Sequence, residues 1–405
     1  MLKIERKANI MNFLKKQKIV QVKKLAEQLK VTTETVRNDL SELEIEGYIK
    51  RHHGGAILNS QIFDSISLQD LINYPQLNEQ SINTQRLKNM HNHVFILGSF
   101  NVDITNIVPH LPAPGESVLA LYSSFSPGGK GANQALAASC SLSDVYFVTK
   151  IGQDEFNHYA KRYFENSKIS NYKLFESVKS KTGCAVILVS NESGENCISI
   201  SPGANMEITN SEVDYLEDEI KNSTVMLLQL ETNINAIKRA IDIARKNNVK
   251  VILNPAPYND SLLNLLSDID IITPNETEAT LISKVHISDI ESAQKAAQKI
   301  YQMGVKIVII TLGAKGALCF DGEQFIFSPA YPAVVKNTSG AGDAFNGAFA
   351  ASLAQGKALL YSLQYASAFA SLAVETDSAS GMPHHQMVLD RINQNINKVI
   401  PKTFI

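Results

Sequence analysis

The chain has 405 residues, of which 44% are hydrophobic and 19% are charged, and its formal net charge is −2. This balance is typical of folded globular protein and excludes a disordered chain, and the length predicts two or three domains. No apolar run approaches the roughly 20 residues that a membrane-spanning helix needs. The charged N-terminal segment also lacks the character of a secretory signal. We therefore expect a cytoplasmic protein that does not associate with membranes.

Charge is distributed unevenly along the chain. The N-terminal head, residues 1–58, carries 12 Lys and Arg against 7 Asp and Glu, which is a net charge of +5. The rest of the chain therefore carries −7, because the whole chain carries −2. A basic head on an acidic body predicts an anionic partner for the head alone.

The head begins with two short patterns of helical period. Their apolar residues are Ile10, Phe13 and Leu14, followed by Val22, Leu25, Ala26 and Leu29. Thr32 is a favourable N-cap for a third helix, and Glu34 follows where the helix dipole stabilises a carboxylate. The buried stripe of this helix consists of Val36, Leu40 and Leu43. The segment 48–58 then has the turn glycines of a hairpin, so the head predicts a winged helix-turn-helix.

Polar residues on the other faces of the third helix are free to reach outward. In the major groove an Arg pairs with guanine and an Asn with adenine, while a basic wing contacts phosphate. The predicted DNA-binding residues are Thr33, Arg37, Asn38, Lys50 and Arg51. The strings LAEQLKV, ETVRNDL, LEIEGYI and HGGA resemble the DeoR-type repressor head. The alternative is a helical module that binds protein and not DNA.

Beyond the head, residues 59–92 are rich in Asn, Gln and Ser and lack a clear period. They predict a linker, with a short helix around Ser67–Asn73. From Val94 onward, apolar runs such as VFILG, VYFVT, VMLLQL, VILN and IVIIT alternate with amphipathic stretches. This alternation predicts an α/β body over residues 93–398, with a mainly parallel sheet between helices.

The four cysteines have no spacing typical of a metal site. They are Cys140, Cys184, Cys197 and Cys319. In a chain of this size we expect all four to be reduced residues of the core.

The run NTSGAGD, residues 337–343, combines small residues with one carboxylate at the start of an apolar helix. Successive N–H groups of such a run can converge on an anion, and Asp343 beside them can accept a proton from a hydroxyl. Phosphoryl transfer needs one base together with fixed dipoles that face the developing charge. Taken alone, the run is equally well explained as a loop that caps a helix.

Two earlier motifs suit a polyol ligand. In GGKGANQA, residues 128–135, glycines precede a helix, and Lys130 and Asn133 can hydrogen-bond hydroxyl groups. Asn101 and Asp103 follow the strand VFILG, and ligands collect at strand ends in α/β sheets. Singly, a tight turn and a helix cap explain these two motifs.

Two later motifs suit a nucleotide. Asn275 and Glu278 follow a strand, and an amide with a carboxylate suits hydrated Mg²⁺ and phosphate. The run TLGAKG, from Thr311, follows the next strand and fits the same crevice. No GxxxxGK[ST] motif occurs, so the phosphate site is built differently from a Walker P-loop.

Residues 94–395 resemble the ribokinase branch of the PfkB carbohydrate kinases. The motifs occur in the order of that family: GSFNVD, PGE, GGKGANQA, GENCI, LQLE, LNPAP, TPNETEA, TLGAKG and SGAGDAFNGA. The resemblance implies a ribokinase-like sandwich with a small β lid formed by residues 104–127 and 183–201. In this family the lid closes on the sugar and often forms the dimer contact.

Position by position, the resemblance implies roles for individual residues. Asp343 would deprotonate the 5-hydroxyl of a pentose, beside an anion hole formed by Gly340, Ala341 and Gly342. The sugar would be bound by Asn101, Asp103, Gly129, Lys130, Asn133, Glu231 and Asp343. ATP and its Mg²⁺ would be bound by Asn275, Glu278, Thr311, Gly313, Lys315, Gly316, Gly342 and Ser367. A monovalent cation, K⁺, would be bound by Asn337, Ser339, Ala373, Thr376 and Ser378.

The chain departs from the family at the cation site. Asn337 stands where ribokinases usually have Asp, and an amide oxygen ligates K⁺ without contributing charge. We therefore expect weaker K⁺ affinity than the family shows.

These features predict an ATP-dependent kinase that converts D-ribose to D-ribose 5-phosphate, with a head that ties transcription to sugar. One alternative is a repressor whose body acts mainly as a sugar sensor, and another is a kinase for deoxyribose or another pentose. We expect a homodimer, because the lid and a head that reads palindromes both favour an even number of subunits.

Overall fold

The computed structural model describes residues 19–45, 49–52, 54–58 and 93–404, together with the single residues 6, 10, 13 and 14. The chain divides into two compact units, residues 1–89 and 90–405, and the division falls within the predicted linker. Residues 59–92, which include the helix predicted around Ser67–Asn73, lie outside the described residues. No helix in the described ranges combines the length and the hydropathy needed to span a membrane.

Within the described ranges 19–45, 49–52 and 54–58 of the head, two helices pack with a three-stranded sheet. The elements are β1 (Ile19–Gln21), α1 (Val22–Leu29), α2 (Thr33–Ile45), β2 (Ile49–His52) and β3 (Gly55–Leu58). The strand order is β1-β3-β2, and both pairs are antiparallel. The hairpin of β2 and β3 confirms the prediction. β1 was not predicted, because three residues are too few to show a period.

Helix α2 is the third helix predicted from the sequence, and it forms for the reasons that the sequence indicates. Thr32 caps it, since the N–H of Thr35 donates to Thr32 Oγ1 at 3.1 Å. Val36, Leu40 and Leu43 are each at most 1% exposed, which confirms the predicted stripe. The buried core of the head, within its described part, consists of Ile10, Leu14, Val20, Val22, Leu25, Ala26, Leu29, Val36, Leu40, Leu43, Ile49 and Ala56.

The body is built on one ten-stranded sheet. In spatial order its strands are β17 (Lys402–Phe404), β16 (Phe325–Pro329), β15 (Gly316–Phe320), β14 (Ile307–Thr311), β13 (Ile271–Ile272), β12 (Lys250–Asn254), β11 (Val225–Gln229), β4 (His93–Leu97), β7 (Asp144–Gly152) and β8 (Asn171–Ser177). Every pair from β14 to β8 is parallel, and the pairs from β14 to β17 are antiparallel. The predicted mainly parallel sheet is confirmed. The sheet extends to residue 404, beyond the predicted domain end at residue 398.

Helices cover both faces of this sheet, so the interior residues of the central strands are apolar on both sides. The helices are α3 (Lys130–Cys140), α4 (Glu155–Asn166), α5 (Asn210–Asp214), α6 (Glu217–Lys221), α7 (Ile234–Lys246), α8 (Glu276–Ser283), α9 (Ile290–Gln302), α10 (Ala341–Ala354), α11 (Leu359–Ala373) and α12 (His385–Gln394). α7, α8 and α9 share one core with alternate residues of β11 and β12. α10 packs between α3 and α11 and also contacts β11 and β4.

A separate four-stranded sheet corresponds to the predicted lid. Its order is β10 (Asn196–Ser201), β9 (Gly183–Ser190), β5 (Asn101–Val108) and β6 (Tyr122–Gly128). β5 and β9 are parallel, and the two outer pairs are antiparallel. Only Gly98, Ser99 and Phe100 separate β4 of the main sheet from β5 of the lid.

The prediction that all four cysteines belong to the core is wrong for two of them. Cys140 and Cys319 are buried, whereas Cys184 is only partly buried and Cys197 is exposed. The physical reason is that Cys184 and Cys197 lie on β9 and β10 of the lid. A small sheet that lies apart from the main core leaves side chains of both its inner and its outer strands open to water.

Candidate active site

Polar side chains gather at the carboxyl ends of three neighbouring parallel strands. Gln229 ends β11, Asn254 ends β12 in register with it, and Thr273 follows β13. All three are buried, with at most 7% of their surface exposed. Buried polar groups need hydrogen-bond partners, and these come from α3 and α10, which begin near the same edge. This edge is where α/β sheets bind ligands.

Asp343 lies in the first turn of α10 and is 7% exposed. Its Oδ1 accepts a hydrogen bond from Gln134 Nε2 at 2.9 Å, and its Oδ2 accepts one from Asn133 Nδ2 at 3.3 Å. Gly340 precedes the helix with φ 78°, and a Cβ there would lie 2.3 Å from the carbonyl oxygen of Ala379. A glycine is therefore required at the turn that presents Asp343.

Three carboxylates and one ammonium group occupy the same pocket. Burial, followed by the charges of Glu231 and Asp343, raises the pKa of Asp103 to about 7. Burial also raises the pKa of Asp343, although the charge of Lys130 opposes it. Asp343 in turn is the main cause that raises the pKa of Lys130 and keeps it protonated. Such a cluster offers both acceptors and a donor to a ligand rich in hydroxyl groups.

Glu231 is held against the start of α3. Its Oε2 accepts hydrogen bonds from the Ser99 hydroxyl and, at 3.0 Å, from the N–H of Lys130. The start of α3 lies so close to the segment before β5 that a Cβ on Gly131 would lie 2.5 Å from the backbone nitrogen of Ser99. Ser99 was not singled out from the sequence, although it lies within the motif GSFNVD.

The lid contributes Asn101 and Asp103. Asn101 is 4% exposed, and its Oδ1 accepts from Asn205 Nδ2 at 2.9 Å. Asp103 pairs across β5 and β6 with Ser126. Gly129, with φ 90°, precedes α3 directly below this strand pair, where a Cβ would lie 2.9 Å from Asn101 N. Asn205 was missed, because no local motif marks a contact more than 100 residues away in the chain.

The predicted anion hole lies at the N-terminus of α10. The N–H of Ala341 donates to the Thr338 carbonyl at 3.2 Å, and the N–H of Ala344 donates to Gly340 at 2.8 Å. A Cβ on Gly342 would meet no atom within 4 Å, so space is open at this residue. The N-terminus of a helix offers N–H groups without an intrahelical acceptor and a positive dipole end, both of which favour an anion.

The predicted nucleotide residues form a second group. Asn275 and Glu278 cap α8 reciprocally, with bonds of 2.8 and 2.9 Å between each side chain and the other residue's N–H. Thr311 pairs with Asn275 through an isolated β-bridge. Burial is the main cause that raises the pKa of Glu278, and the charges of Lys130 and Asp343 also act on it. The nucleotide group and the sugar group are therefore electrostatically coupled.

The remaining residues predicted to bind the nucleotide lie in a short 3-10 helix, the turn after it and α11. Gly313 and Lys315 belong to a short 3-10 helix, and Lys315 Nζ lies 3.6 Å from Glu276 Oε1. Gly316 follows with φ 119°, where a Cβ would lie 2.1 Å from the Ser328 carbonyl oxygen. Ser367 lies on a buried face of α11.

The two segments predicted to hold K⁺ are brought together. Asn337 Nδ2 donates to the Asp377 carbonyl at 3.2 Å, while its Oδ1 accepts from the N–H of Ser339 at 2.8 Å. In the second segment the Thr376 hydroxyl hydrogen-bonds the carbonyl oxygens of Ala373, at 2.8 Å, and Ser378, at 3.0 Å. Both polar atoms of the Asn337 amide are thus already used.

In the head, the predicted DNA-binding residues on α2 face solvent. Thr33, Arg37 and Asn38 are exposed, and Arg51 on β2 is exposed as well. Arg37 Nη1 lies 3.4 Å from Glu34 Oε2 in a pair that is largely solvated. The side chain of Lys50 lies outside the described part of the chain.

Comparison with known proteins agrees with this geometry. A ribokinase of Haemophilus influenzae is 37% identical over 302 residues, which cover 74% of this chain and 98% of that protein. A deoxyribokinase of Salmonella typhi is 32% identical over 282 residues, which cover 69% of this chain and 92% of that protein. The structure of Arabidopsis thaliana ribokinase complexed with ribose and ATP superposes with a TM-score of 0.67 at 32% identity. That superposition covers 74% of this chain and 98% of the other.

Two family matches divide the chain in the same way as its two compact units. Residues 6–62 match the DeoR-like helix-turn-helix domain, and residues 91–385 match the pfkB family carbohydrate kinase. The second match covers more than half of the chain. The chain therefore belongs to the PfkB family of carbohydrate kinases and carries a DeoR-like helix-turn-helix domain ahead of the kinase.

Proposed function

We propose that this protein transfers the γ-phosphoryl group of ATP to O5 of D-ribose, giving ADP and D-ribose 5-phosphate, and that it acts in the cytoplasm. The observation that carries the proposal is the buried Asp343 carboxylate at the N-terminus of α10. It lies in one pocket with Lys130 and the carboxylates of Asp103 and Glu231. Asp343 takes the proton, and the N–H groups at the start of α10 face the transferred phosphoryl group. The hydroxyl groups of the sugar are bound by Lys130, Asp103 and Glu231.

In the reaction, Asp343 accepts the proton of the 5-hydroxyl as O5 attacks the γ-phosphorus. The O5–P bond forms, and the bond from that phosphorus to the β,γ-bridging oxygen breaks, so that ADP leaves. The N–H groups at the start of α10 stabilise the charge on the transferred group. The sugar is oriented by Asp103, Lys130, Asn133 and Glu231. Binding energy is thereby used to align its 5-hydroxyl for the reaction.

Mg²⁺ would be held through Asn275 and Glu278. The donor set fits, because an amide and a carboxylate suit a hard cation that keeps several waters. Glu278 is buried with a raised pKa, so a nearby cation would favour its charged form. When bound, the ion neutralises part of the phosphate charge.

Replacing the base tests the assignment of Asp343. Asp343→Asn keeps the shape of the side chain but cannot take the proton, so we expect kcat to fall about 10²–10⁴-fold with little change in KM for ribose. ADP release in a coupled assay measures both constants. Turnover by Asp343→Asn at the unmodified rate would contradict the assignment, and lack of ribose-dependent turnover by the unmodified protein would contradict the proposed function.

The identity of the sugar is tested by a panel of pentoses in the same assay. The deoxyribokinase relative makes 2-deoxyribose the main alternative substrate. One hydroxyl group can be accommodated by a single side chain or a water molecule, so the comparison requires kcat/KM for both sugars. A higher kcat/KM for deoxyribose would assign the protein to that substrate.

Sugar binding should depend on pH through Asp103. The pKa of Asp103 is raised to about 7, so its carboxyl group is mostly protonated below that pH and mostly ionised above it. Only the ionised form accepts hydrogen bonds at both oxygens. We therefore expect Kd for ribose to fall about tenfold between pH 6 and pH 8. Isothermal titration calorimetry measures this, and Asp103→Asn should flatten the profile; an equal slope in that variant would refute the role.

We also propose that K⁺ acts weakly at residues 337–339 and 373–378. Asn337 offers no charge, and its Oδ1 is shared with the Ser339 N–H. Asn337→Asp should therefore lower the K⁺ concentration for half-maximal activity several-fold, because it adds a carboxylate. Turnover in KCl is compared with turnover in tetramethylammonium chloride at equal ionic strength. A K⁺ response that is unchanged in Asn337→Asp would exclude this site.

The head is proposed to regulate genes of sugar catabolism by binding DNA. Arg37 is exposed on α2, where it can reach guanine. Arg37→Ala should weaken specific binding to the upstream region of its own gene by about 5- to 150-fold, the equivalent of about 1–3 kcal/mol. Fluorescence anisotropy between 50 and 200 mM salt measures this, and Lys299→Ala on α9 is a control of matched charge. Binding that is insensitive to salt in the unmodified protein would argue against DNA as the partner.

A sensor role for the body is the second candidate function, and the match to a DeoR-like domain favours it. A ligand switches DNA binding only if it binds the two states unequally. Asp343→Ala separates the possibilities, because regulation survives in that variant if sugar occupancy is the signal and fails if turnover is.

We propose that the active form is a homodimer that contacts its partner through the lid. Apolar side chains stand exposed on both faces of this small sheet: Tyr122, Ile198 and Ile200 on the face that carries Asp103, and Phe125 and Val186 on the other. Exposed apolar surface shared by several strands is typical of an interface. Analytical ultracentrifugation should give twice the chain mass, and Ile198→Asp should shift it toward the monomer.

A further inference from the structure

A row of buried side-chain amides leads from the sheet to the base. This amide row consists of Gln229, Gln134 and Asn254, which are at most 7% exposed. Gln229 Nε2 donates to Gln134 Oε1 at 2.7 Å. Gln134 Nε2 donates both to Asn254 Oδ1, at 3.1 Å, and to Asp343 Oδ1, at 2.9 Å. No solvent contact is needed to complete these bonds.

The direction of every amide in the row is fixed by one backbone carbonyl. Asn254 Nδ2 donates to the carbonyl oxygen of Thr273 at 3.2 Å, and a carbonyl can only accept. Asn254 must therefore turn its oxygen toward Gln134, which must offer its NH₂ group to that oxygen and to Asp343. The Gln134 oxygen then faces Gln229, which must donate. A reversed Gln134 would place its oxygen against both the Asn254 oxygen and the Asp343 carboxylate.

The far end of the row is imperfectly paired. Gln229 Oε1 has no hydrogen-bond partner, although Gln229 is fully buried. A buried unpaired acceptor costs stability, so an apolar side chain of similar size would suit the fold better. A Cβ on Gly98 would lie 2.1 Å from this same oxygen, so the backbone is kept clear of the glutamine. Packing alone does not explain why a glutamine occupies position 229, whereas the hydrogen bond that Gln229 donates to Gln134 does.

The two oxygens of Asp343 are held differently. Oδ1 accepts the 2.9 Å hydrogen bond from Gln134, whose amide orientation is fixed by Asn254 and Gln229. Oδ2 receives only the 3.3 Å bond from Asn133, which belongs to the proposed sugar-binding set and can turn toward a hydroxyl. Oδ2 is thus the oxygen available to an incoming substrate.

We infer that Gln134, oriented by Gln229 and Asn254, is a positioning residue that fixes Asp343 Oδ1 and leaves Oδ2 to receive the substrate proton. The inference rests on the proposed role of Asp343 as base. The side-chain hydrogen bonds of Gln134 go to Asn254, Asp343 and Gln229. Its effect reaches the reaction only through the carboxylate, by holding the rotamer and by stabilising the charged form.

The sign of the electrostatic effect follows from the chemistry. A hydrogen bond donated to a carboxylate favours its charged form, and the bond from Gln134 lowers the pKa of Asp343 against the larger effect of burial. Without that bond the carboxylate holds its proton to a higher pH. The acid limb of the rate profile should then move upward, because the base works only when ionised.

Gln134→Met is the direct test, since it keeps volume and removes the donor. We expect the single-turnover rate with ATP and ribose to fall about 10- to 100-fold at pH 7, and the acid limb to move up by about one pH unit. KM for ribose should stay within about twofold, because only an interaction of the base is lost. Gln134→Glu should move the limb further in the same direction, since two neighbouring carboxyls share a proton.

Gln229→Met tests the same inference one step farther from the base and serves if Gln134→Met does not fold. It should move the acid limb upward by a smaller amount. The double variant should match Gln134→Met alone, because Gln229 acts only through Gln134. Ser352→Ala is the matched control, since Ser352 lies on α10, as Asp343 does, and shares a buried 2.9 Å hydrogen bond with Ser362 of α11. It should lower the melting temperature and leave the pH profile unchanged.

Three outcomes would overturn the inference. They are an acid limb unmoved in both Gln134→Met and Gln229→Met, a loss of rate accompanied by an equal rise in KM, and an additive double variant. Asp343→Asn keeps this test separate from that of the proposed function. If Asp343→Asn retains full turnover, the proposed base and the inference fall together. If Asp343→Asn loses turnover while Gln134→Met keeps the unmodified rate and profile, only the inference falls.

Discussion

The site depends on keeping one carboxylate ionisable where water is largely excluded. Burial disfavours the charged form of Asp343, whereas the ammonium group of Lys130 and the hydrogen bonds from Gln134 and Asn133 favour it. Each of these groups comes from the first turns of α3, which must therefore begin against the carboxyl edge of the sheet. That contact requires Gly131, because a side chain there would collide with the backbone at Ser99. The position of one helix thus determines both the electrostatics and the geometry of the base.

The same helix start links the proposed base to the proposed sugar-binding residues. The N–H of Lys130 and the Ser99 hydroxyl converge on one oxygen of Glu231, so three segments of the chain meet at a single atom. A carboxylate at the N-terminus of a helix is stabilised by the dipole. Glu231 therefore has a fixed place in the pocket before any ligand binds.

Local patterns were sufficient to predict the architecture. The stripe of Val36, Leu40 and Leu43, the N-cap at Thr32 and the alternation of strands and helices all depend on residues close together in the chain. They were confirmed because local preference and tertiary packing agree at those positions. The family resemblance extended this to residues as distant as Asp103 and Asp343.

Other features could not be predicted, because they depend on contacts between distant segments. Asn205 supports Asn101 across 104 positions, and Gln229 reaches Gln134 across 95. Nothing in the neighbourhood of either residue in the sequence indicates such a bond. The exposure of Cys197 likewise follows from the open face of the lid and not from its own surroundings in the chain. Strand β17 is three residues long and is defined only by its pairing with β16.

The short connection between β4 and β5 means that repulsion within the carboxylate cluster acts on the position of the lid. Asp103 belongs to the lid, whereas Glu231 and Asp343 belong to the body, so their mutual repulsion acts between the two parts that residues 98–100 and other short segments connect. A polyol that donates hydrogen bonds to both sides relieves this repulsion, and so does a proton on Asp103. The same repulsion therefore disfavours bringing β5 closer to the body unless a hydrogen-bond donor or a proton lies between these carboxylates.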